Sequence, residues 1–79
     1  MSSMMIHTLL DACEVVLYEQ GEPRSSFWLA SQVVEMKLWR ASGAHVRGAL
    51  CQHIAKHCET SRFVTLPDDE WGLRSWAAE

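Results

Sequence analysis

The sequence lacks the features that mark membrane-spanning and secreted proteins. It has no stretch of about 18 uncharged apolar residues, which excludes an obvious membrane span. Asp11 and Glu14 come too early for the apolar core of a signal peptide. Its cysteines are odd in number (Cys13, Cys51 and Cys58), which favours reduced thiols over a disulfide framework. These absences predict a cytoplasmic protein that has no membrane partner.

The signatures of a catalytic domain are also missing. The chain has only 79 residues, and surface scaling predicts that folding buries ~60% of the surface that the unfolded chain exposes. One small core is feasible at this size, whereas a deep, sheltered catalytic cleft is not. No glycine-rich phosphate loop is present either. We therefore expect a single domain over residues 1–79, with its core at about 5–76, that has no enzymatic activity and no cofactor.

Charge is present in both signs and is sorted along the chain. Five acidic residues and one basic residue give residues 1–35 a charge of −4. Five basic residues and one acidic residue give residues 36–66 a charge of +4, and residues 67–79 carry −3. A basic middle segment can face phosphate even when the net charge is −3. The alternative is that charges sorted along the sequence do not cluster in space.

The spacing of apolar residues predicts helices in the first two-thirds of the chain. Gly21 ends the first helix, and Ser25 or Ser26 is the predicted N-cap of the second. The second helix has apolar residues on two faces, which predicts that it packs between other elements. Ser42 is the predicted cap of the third. The predicted helices are 5–20, 27–38 and 44–57.

The remaining segment has the composition of a β-hairpin. Residues 62–66 and 71–76 are strand-like, and the acidic residues at 67–70 indicate a solvated turn. A short strand around Arg24 is expected to add a third edge. Because a bare hairpin is marginally stable, its large apolar side chains should pack on the helices. These side chains are Phe63, Leu66, Trp71, Leu73 and Trp76. The order of elements predicts an α+β winged helix, in which a three-helix helix-turn-helix core precedes a two-stranded wing.

Several segments in this order resemble one known family. LLDACEVVLYEQGEP at 9–23, Ser-Arg-Phe at 61–63 and Trp-Gly-Leu-Arg at 71–74 are similar to the HARE-type helix-turn-helix domain, over about residues 9–76. That winged-helix family occurs in restriction endonucleases and other DNA-processing enzymes, in chromatin proteins and in the RNA polymerase delta subunit. The resemblance implies a non-catalytic module in transcription, restriction or another DNA transaction. It implies double-stranded DNA, or a protein of a nucleic-acid machine, as the partner.

Two segments depart from the family's pattern. The start of the third helix, at 42–45, lacks the Thr-Pro or Ser-Pro that is common in relatives. The turn at 67–70 is more acidic than a wing that grips DNA. We therefore do not expect this wing to contact phosphate in the way that a basic wing does.

The third helix carries the candidate DNA-binding residues, because a winged helix places this helix in the major groove. His45, Gln52 and Lys56 form a polar stripe on one flank of the helical wheel, and Arg47 lies on the other. Glutamine can pair with adenine and arginine with guanine through two hydrogen bonds each, so the residues of the third helix are expected to meet the groove. Arg40, Arg62 and Arg74 are expected to contact phosphate, which positions a protein without specifying sequence. The predicted DNA-binding set is Arg47, Gln52, Lys56, His45, Arg40, Arg62 and Arg74.

Two other uses of these segments remain open on the sequence. The alternative to DNA is a protein docked on the acidic first helix, the wing or the smooth face of the third helix, with Trp28 as the expected exposed aromatic contact. His53 and His57 are four residues apart and Cys58 follows, a spacing that can hold a metal. Both histidines project toward the apolar seam on the wheel, so we expect histidines that are packed or at the rim of the core, and no metal site.

Overall fold

The computed structural model describes the backbone of residues 6–78 and the side chains of residues 6–76. The elements in chain order are α1 (Leu9–Gln20), β1 (Arg24–Ser25), α2 (Ser26–Glu35), α3 (Gly43–His57), β2 (Phe63–Leu66) and β3 (Glu70–Leu73). Short 3-10 turns follow α3 at Cys58–Thr60 and β3 at Arg74–Ala78. The strands form one antiparallel sheet in the order β1-β3-β2. The predicted α+β winged helix and the predicted strand at Arg24 are both confirmed.

Helix α1 begins later than the apolar spacing predicts. Met5 lies outside the described residues, and residues 6–8 are not helical. Thr8 is the N-cap because its side chain accepts a hydrogen bond from the N–H of Asp11, and the Asp11 carboxylate bonds back to the Thr8 N–H. This reciprocal capping box fixes the start at Leu9. The end at Gly21 is as predicted, with φ of 78° in the left-handed region.

Helix α2 differs from its prediction in length and in burial. Its N-cap is Ser25, but it ends at Glu35 rather than at residue 38. The chain then folds back, because the N–H groups of Leu38 and Trp39 both bond to the Val33 carbonyl. The helix packs between α1 and α3, as its two apolar faces predict, but its second face is only partly buried. Phe27 is 64% exposed on the other side.

Helix α3 is anchored at its predicted start and along one face. Ser42 caps it by accepting the N–H of His45, and the helix runs from Gly43 to His57. Phe27 of α2 covers Gly43 so closely that a β-carbon there would overlap the Phe27 ring. Val46 and Leu50 are fully buried against the other helices. No helix within residues 6–78 is long and apolar enough to cross a membrane.

The wing, formed by β2, β3 and their turn, packs on the helices through most of its apolar residues. Phe63, Trp71 and Leu73 are buried, and Trp76 packs partly against the core. Leu66 is 37% exposed, so its predicted packing on the helices was wrong. The buried core is Leu9, Ala12, Cys13, Val16, Leu17, Leu29, Ala30, Val33, Val46, Leu50, Phe63, Trp71 and Leu73.

Candidate nucleic-acid interface

The outward face of α3 is shallow at its centre and polar at its flanks. Opposite the buried Val46 and Leu50, the helix exposes Gly48 and Ala55, and a β-carbon added at Gly48 would meet no atom within 4 Å. A surface of small residues lets another molecule approach the helix backbone closely. The exposed residues of this face are Ala44, His45, Arg47, Gly48, Cys51, Gln52, Ala55 and Lys56.

One flank of α3 carries the predicted polar stripe. His45, Gln52 and Lys56 are all exposed, as the helical wheel predicts. Arg40 lies in the segment that leads into α3 and is also exposed. Within the described side chains, neither Lys56 nor Arg40 forms an ion pair. Both cations are therefore available to an anionic partner.

The other flank of α3 meets the wing through Arg47. The Nε atom of Arg47 lies 3.9 Å from Oδ1 of Asp69, and the arginine side chain is 63% exposed. Asp69 also accepts hydrogen bonds from Ser26 Oγ and Trp71 Nε1, each at 2.9 Å. Burial raises the pKa of Asp69, but the bonds from Trp71 and Ser26 outweigh it and lower the pKa. The expectation of a solvated turn is thus wrong for Asp69, which ties the wing to α2.

Arg62 is engaged by acidic residues of α1. Its Nη1 atom donates to Asp11 Oδ1 at 2.9 Å and to Glu14 Oε1 at 2.6 Å. Burial lowers the pKa of Arg62, but the hydrogen bonds to the two carboxylates have the larger combined effect, so the pKa is raised. The pKa of Asp11 is held below its usual value, first by the hydrogen bond from the backbone N–H of His7 and second by the hydrogen bond from Arg62. This ion-pair cluster joins the start of β2 to α1.

Arg74 is engaged by backbone carbonyls at the end of α3. Its Nε atom donates to the Ser61 carbonyl at 2.6 Å, and Nη2 donates to the Cys58 carbonyl at 3.0 Å. Both carbonyls lie in the segment that links α3 to β2. Arg62 and Arg74 therefore both have intramolecular partners, and their assignment to phosphate stays a prediction.

His53 is packed between α3 and β2, whereas His57 is exposed. His53 Nδ1 lies 2.7 Å from Ser61 Oγ, and its ring lies nearly perpendicular to that of Phe63 with the centroids 5.7 Å apart. The thiol of Cys58 donates to the Ala55 carbonyl. Among the residues that the structure describes, no three His, Cys, Asp or Glu side chains are grouped as metal ligands.

Acid is expected to destabilise the domain through His53. Burial, followed by the charges of His57, Arg62 and Lys56, lowers the pKa of His53 below 6.5. The folded state thus binds this proton less readily than the unfolded state does. The contribution of His53 to the free energy of unfolding is therefore fully present above pH 6.5, and it is lost as the pH falls through the folded pKa. We expect this loss to be small, because the ring is only half-buried.

Urea unfolding measured between neutral and mildly acidic pH checks this prediction. His53→Gln is the control, because glutamine still offers an acceptor to Ser61 but does not titrate. The variant should lose less stability over the same pH range than the wild type. Identical pH profiles for the two proteins would contradict the role of His53.

The aromatic residue expected to be exposed is covered. Trp28 is half-buried, and the Arg24 guanidinium stacks over its ring at 4.8 Å. The exposed aromatic side chains in the described part of the chain include Tyr18 and Phe27. The prediction of Trp28 as a protein-contact residue is therefore not supported by its position. Phe27 has the same apolar spacing as core residues of α2, and no sequence signal distinguishes it as exposed.

Comparison with protein-family models matches residues 7–76 to HARE-HTH, a helix-turn-helix domain whose description names ASXL and restriction endonucleases. Comparisons with curated proteins and with solved structures gave no match. The family match covers nearly the whole chain and agrees with the three helices and the three-stranded sheet described above. The chain therefore belongs to the HARE-HTH family of winged-helix domains, a family of DNA-binding helix-turn-helix domains.

Proposed function

We propose that this domain binds double-stranded DNA without catalysis and that α3 is its recognition helix. The observation that carries the proposal is the outward face of α3. Small residues at Gly48 and Ala55 leave its centre open, while Arg47 and Lys56 lie exposed on opposite flanks. The major groove is about 12 Å wide and admits a helix whose side chains reach base edges from both flanks.

The side chains of this face suit different parts of the duplex. Gln52 has the donor and acceptor that pair with adenine, and Arg47 has the fork that pairs with guanine. Lys56 and Arg40 carry charge without a carboxylate partner among the described residues, which suits phosphate. His45 lies on the Lys56 flank and is placed to add a further polar contact.

The wing plays a smaller part in this proposal than α3 does. Asp68 and Glu70 are exposed at its turn, and Asp69 lies between them. A carboxylate near a phosphate is repelled, so the turn should stand away from the DNA backbone. We place the contact on α3 and on the segment that precedes it.

Backbone amide shifts in a titration with DNA test the proposal. The labelled protein is titrated with a short mixed-sequence duplex at low salt. Shifts are expected to concentrate on residues 40–56 and to fade as salt is added, because phosphate contacts release counterions. Shifts at Arg62 or Arg74 would extend the contact to those residues. No shifts at millimolar DNA would contradict the proposal.

A protein partner is the second candidate, and an exposed apolar groove favours it. Val34 is exposed on α2 and lines an open groove with Leu38 and Trp39. Lys37 and Arg40 lie at the same groove. The fitting partner is a segment with apolar side chains between acidic ones. The groove lies on α2 and its following loop, not on the first helix, the wing or the α3 face, where the sequence predicted docking.

Salt separates the two candidates. Binding that buries the apolar lining of the groove should weaken much less with salt than binding to phosphate does, because charge supplies only part of it. Shifts on α2 with an acidic-apolar peptide, without shifts on α3 with DNA, would favour the protein partner.

A further inference from the structure

We propose that Asp69 is a positioning residue for Arg47. It orients the guanidinium for guanine and thereby raises base discrimination, while its own charge weakens binding to DNA of every sequence. This inference rests on the proposed function, in which Arg47 meets the major groove. It assigns a role in recognition to a residue of the acidic wing turn, which the sequence pattern predicts to be solvated.

The Asp69 carboxylate is held rigidly by donors on two other elements. Its Oδ2 atom accepts the Ser26 hydroxyl at 2.9 Å, and its Oδ1 atom accepts Trp71 Nε1 at 2.9 Å. Ser26 is fully buried and Trp71 is 4% exposed, so both donors are fixed by packing. The carboxylate therefore cannot turn to follow a mobile side chain. It offers a fixed anion beside α3.

Arg47 meets this anion through the inner nitrogen of its guanidinium. The ion-pair distance of 3.9 Å runs from Nε to Oδ1 of Asp69. An arginine that faces a carboxylate through Nε leaves both terminal Nη groups unoccupied. Those groups form the pair of hydrogen bonds to O6 and N7 of guanine. Because the carboxylate limits the rotamers of an otherwise exposed side chain, less conformational freedom is lost when the guanine bonds form.

The same carboxylate opposes the negatively charged duplex. This repulsion does not depend on the base sequence, because every sequence carries the same phosphates. Asp69 should thus have two effects of opposite sign, in which discrimination for guanine increases and overall affinity decreases. A residue that only stabilises the fold would, when replaced, lower the apparent affinity and leave the base discrimination of the folded molecules unchanged. The two roles can therefore be told apart by measurement.

The experiment selects bound sequences from a pool of duplexes with a randomised centre at low salt. Affinity for the unselected pool is measured separately by fluorescence anisotropy. With Asp69→Asn we expect a pool affinity equal to or above that of the wild type. We also expect guanine enrichment at the preferred position to fall by about 5- to 10-fold, at the low end of the range for one base contact. Lower affinity together with unchanged enrichment would overturn the proposal.

Asp68→Asn is the matched control. It removes the same charge from the same turn, and the Asp68 side chain is exposed and in no ion pair among the described side chains. It should raise the pool affinity and leave guanine enrichment unchanged. An equal fall in enrichment with Asp68→Asn would show that charge alone acts, which overturns the positioning role.

Arg47→Lys keeps the experiment decisive if Asp69→Asn folds poorly. Arg47 is exposed, so this variant should fold, and lysine keeps the charge but has no guanidinium fork. Guanine enrichment should fall, and adding Asp69→Asn to Arg47→Lys should lower it no further. Unchanged enrichment with Arg47→Lys overturns the proposal.

The wild type separates this proposal from the proposed function. If the wild type binds DNA without base preference, the role of Asp69 is overturned but the proposed function stands. If the wild type does not bind DNA at all, the role of Asp69 and the proposed function are both overturned.

Discussion

DNA affinity is expected to fall by about 10- to 40-fold when salt is raised from ~50 to ~200 mM, given two or three phosphate contacts. Arg40 and Lys56 are exposed and in no ion pair among the described side chains, and Arg47 is shared with Asp69. Each neutralised phosphate contributes about −0.9 to the slope of log affinity against log salt. Affinities measured by anisotropy across a salt series give this slope.

Substitution shows which cations determine the slope of log affinity against log salt. Replacing Arg40 and Lys56 together with glutamine should flatten it by about 2, because two phosphate contacts are lost. Arg24→Gln is the control. It also replaces a cation with glutamine, but Arg24 is paired with Glu22 and stacked on Trp28, so it is not expected to contact phosphate. It should leave the slope unchanged. A double variant with the wild-type slope would show that other cations meet the phosphates, and Arg62 and Arg74 would be replaced next.

Local sequence signals were enough to predict most of the fold. Caps at Ser25 and Ser42 and the glycine at residue 21 mark helix ends that depend on neighbouring residues alone. The end of α2 was missed because Leu38 continues the helical spacing. The chain turns at Lys37, which has φ of 59°, and lysine gives no signal for this left-handed conformation.

The candidate site was harder to predict, because contacts distant in sequence decide which charges are free. The basic segment 36–66 suggested five available cations. Arg62 is instead held by Asp11 and Glu14, which lie 51 and 48 residues away in the sequence. Asp69 is similarly bound to Ser26, 43 residues away. Only the packing of the wing against α1 and α2 reveals these pairs.

The burial of the wing residue Phe63 leads to the largest expected effect on stability. Phe63→Ala should lower the free energy of unfolding by about 3–5 kcal/mol, since a large buried ring is removed from a close-packed core. Phe63 has no exposed surface, and its ring lies nearly perpendicular to that of His53 on α3. Small domains are stable by only about 5–15 kcal/mol, so this loss is a large share of the total stability. Urea unfolding followed by tryptophan fluorescence measures the change.

Thr65→Ala in the same strand is the control, because Thr65 is exposed and its loss should change stability by less than about 0.5 kcal/mol. If Phe63→Ala cost no more than this control, β2 would not be part of the core.

The Phe63→Ala variant also bears on the proposed interface. Phe63 lies behind α3 and away from its outward face, so it should touch no DNA. DNA affinity should therefore fall only in proportion to the unfolded fraction, while the salt slope of the folded molecules stays that of the wild type. A changed slope would instead mean that packing of β2 against α3 sets the position of the phosphate contacts.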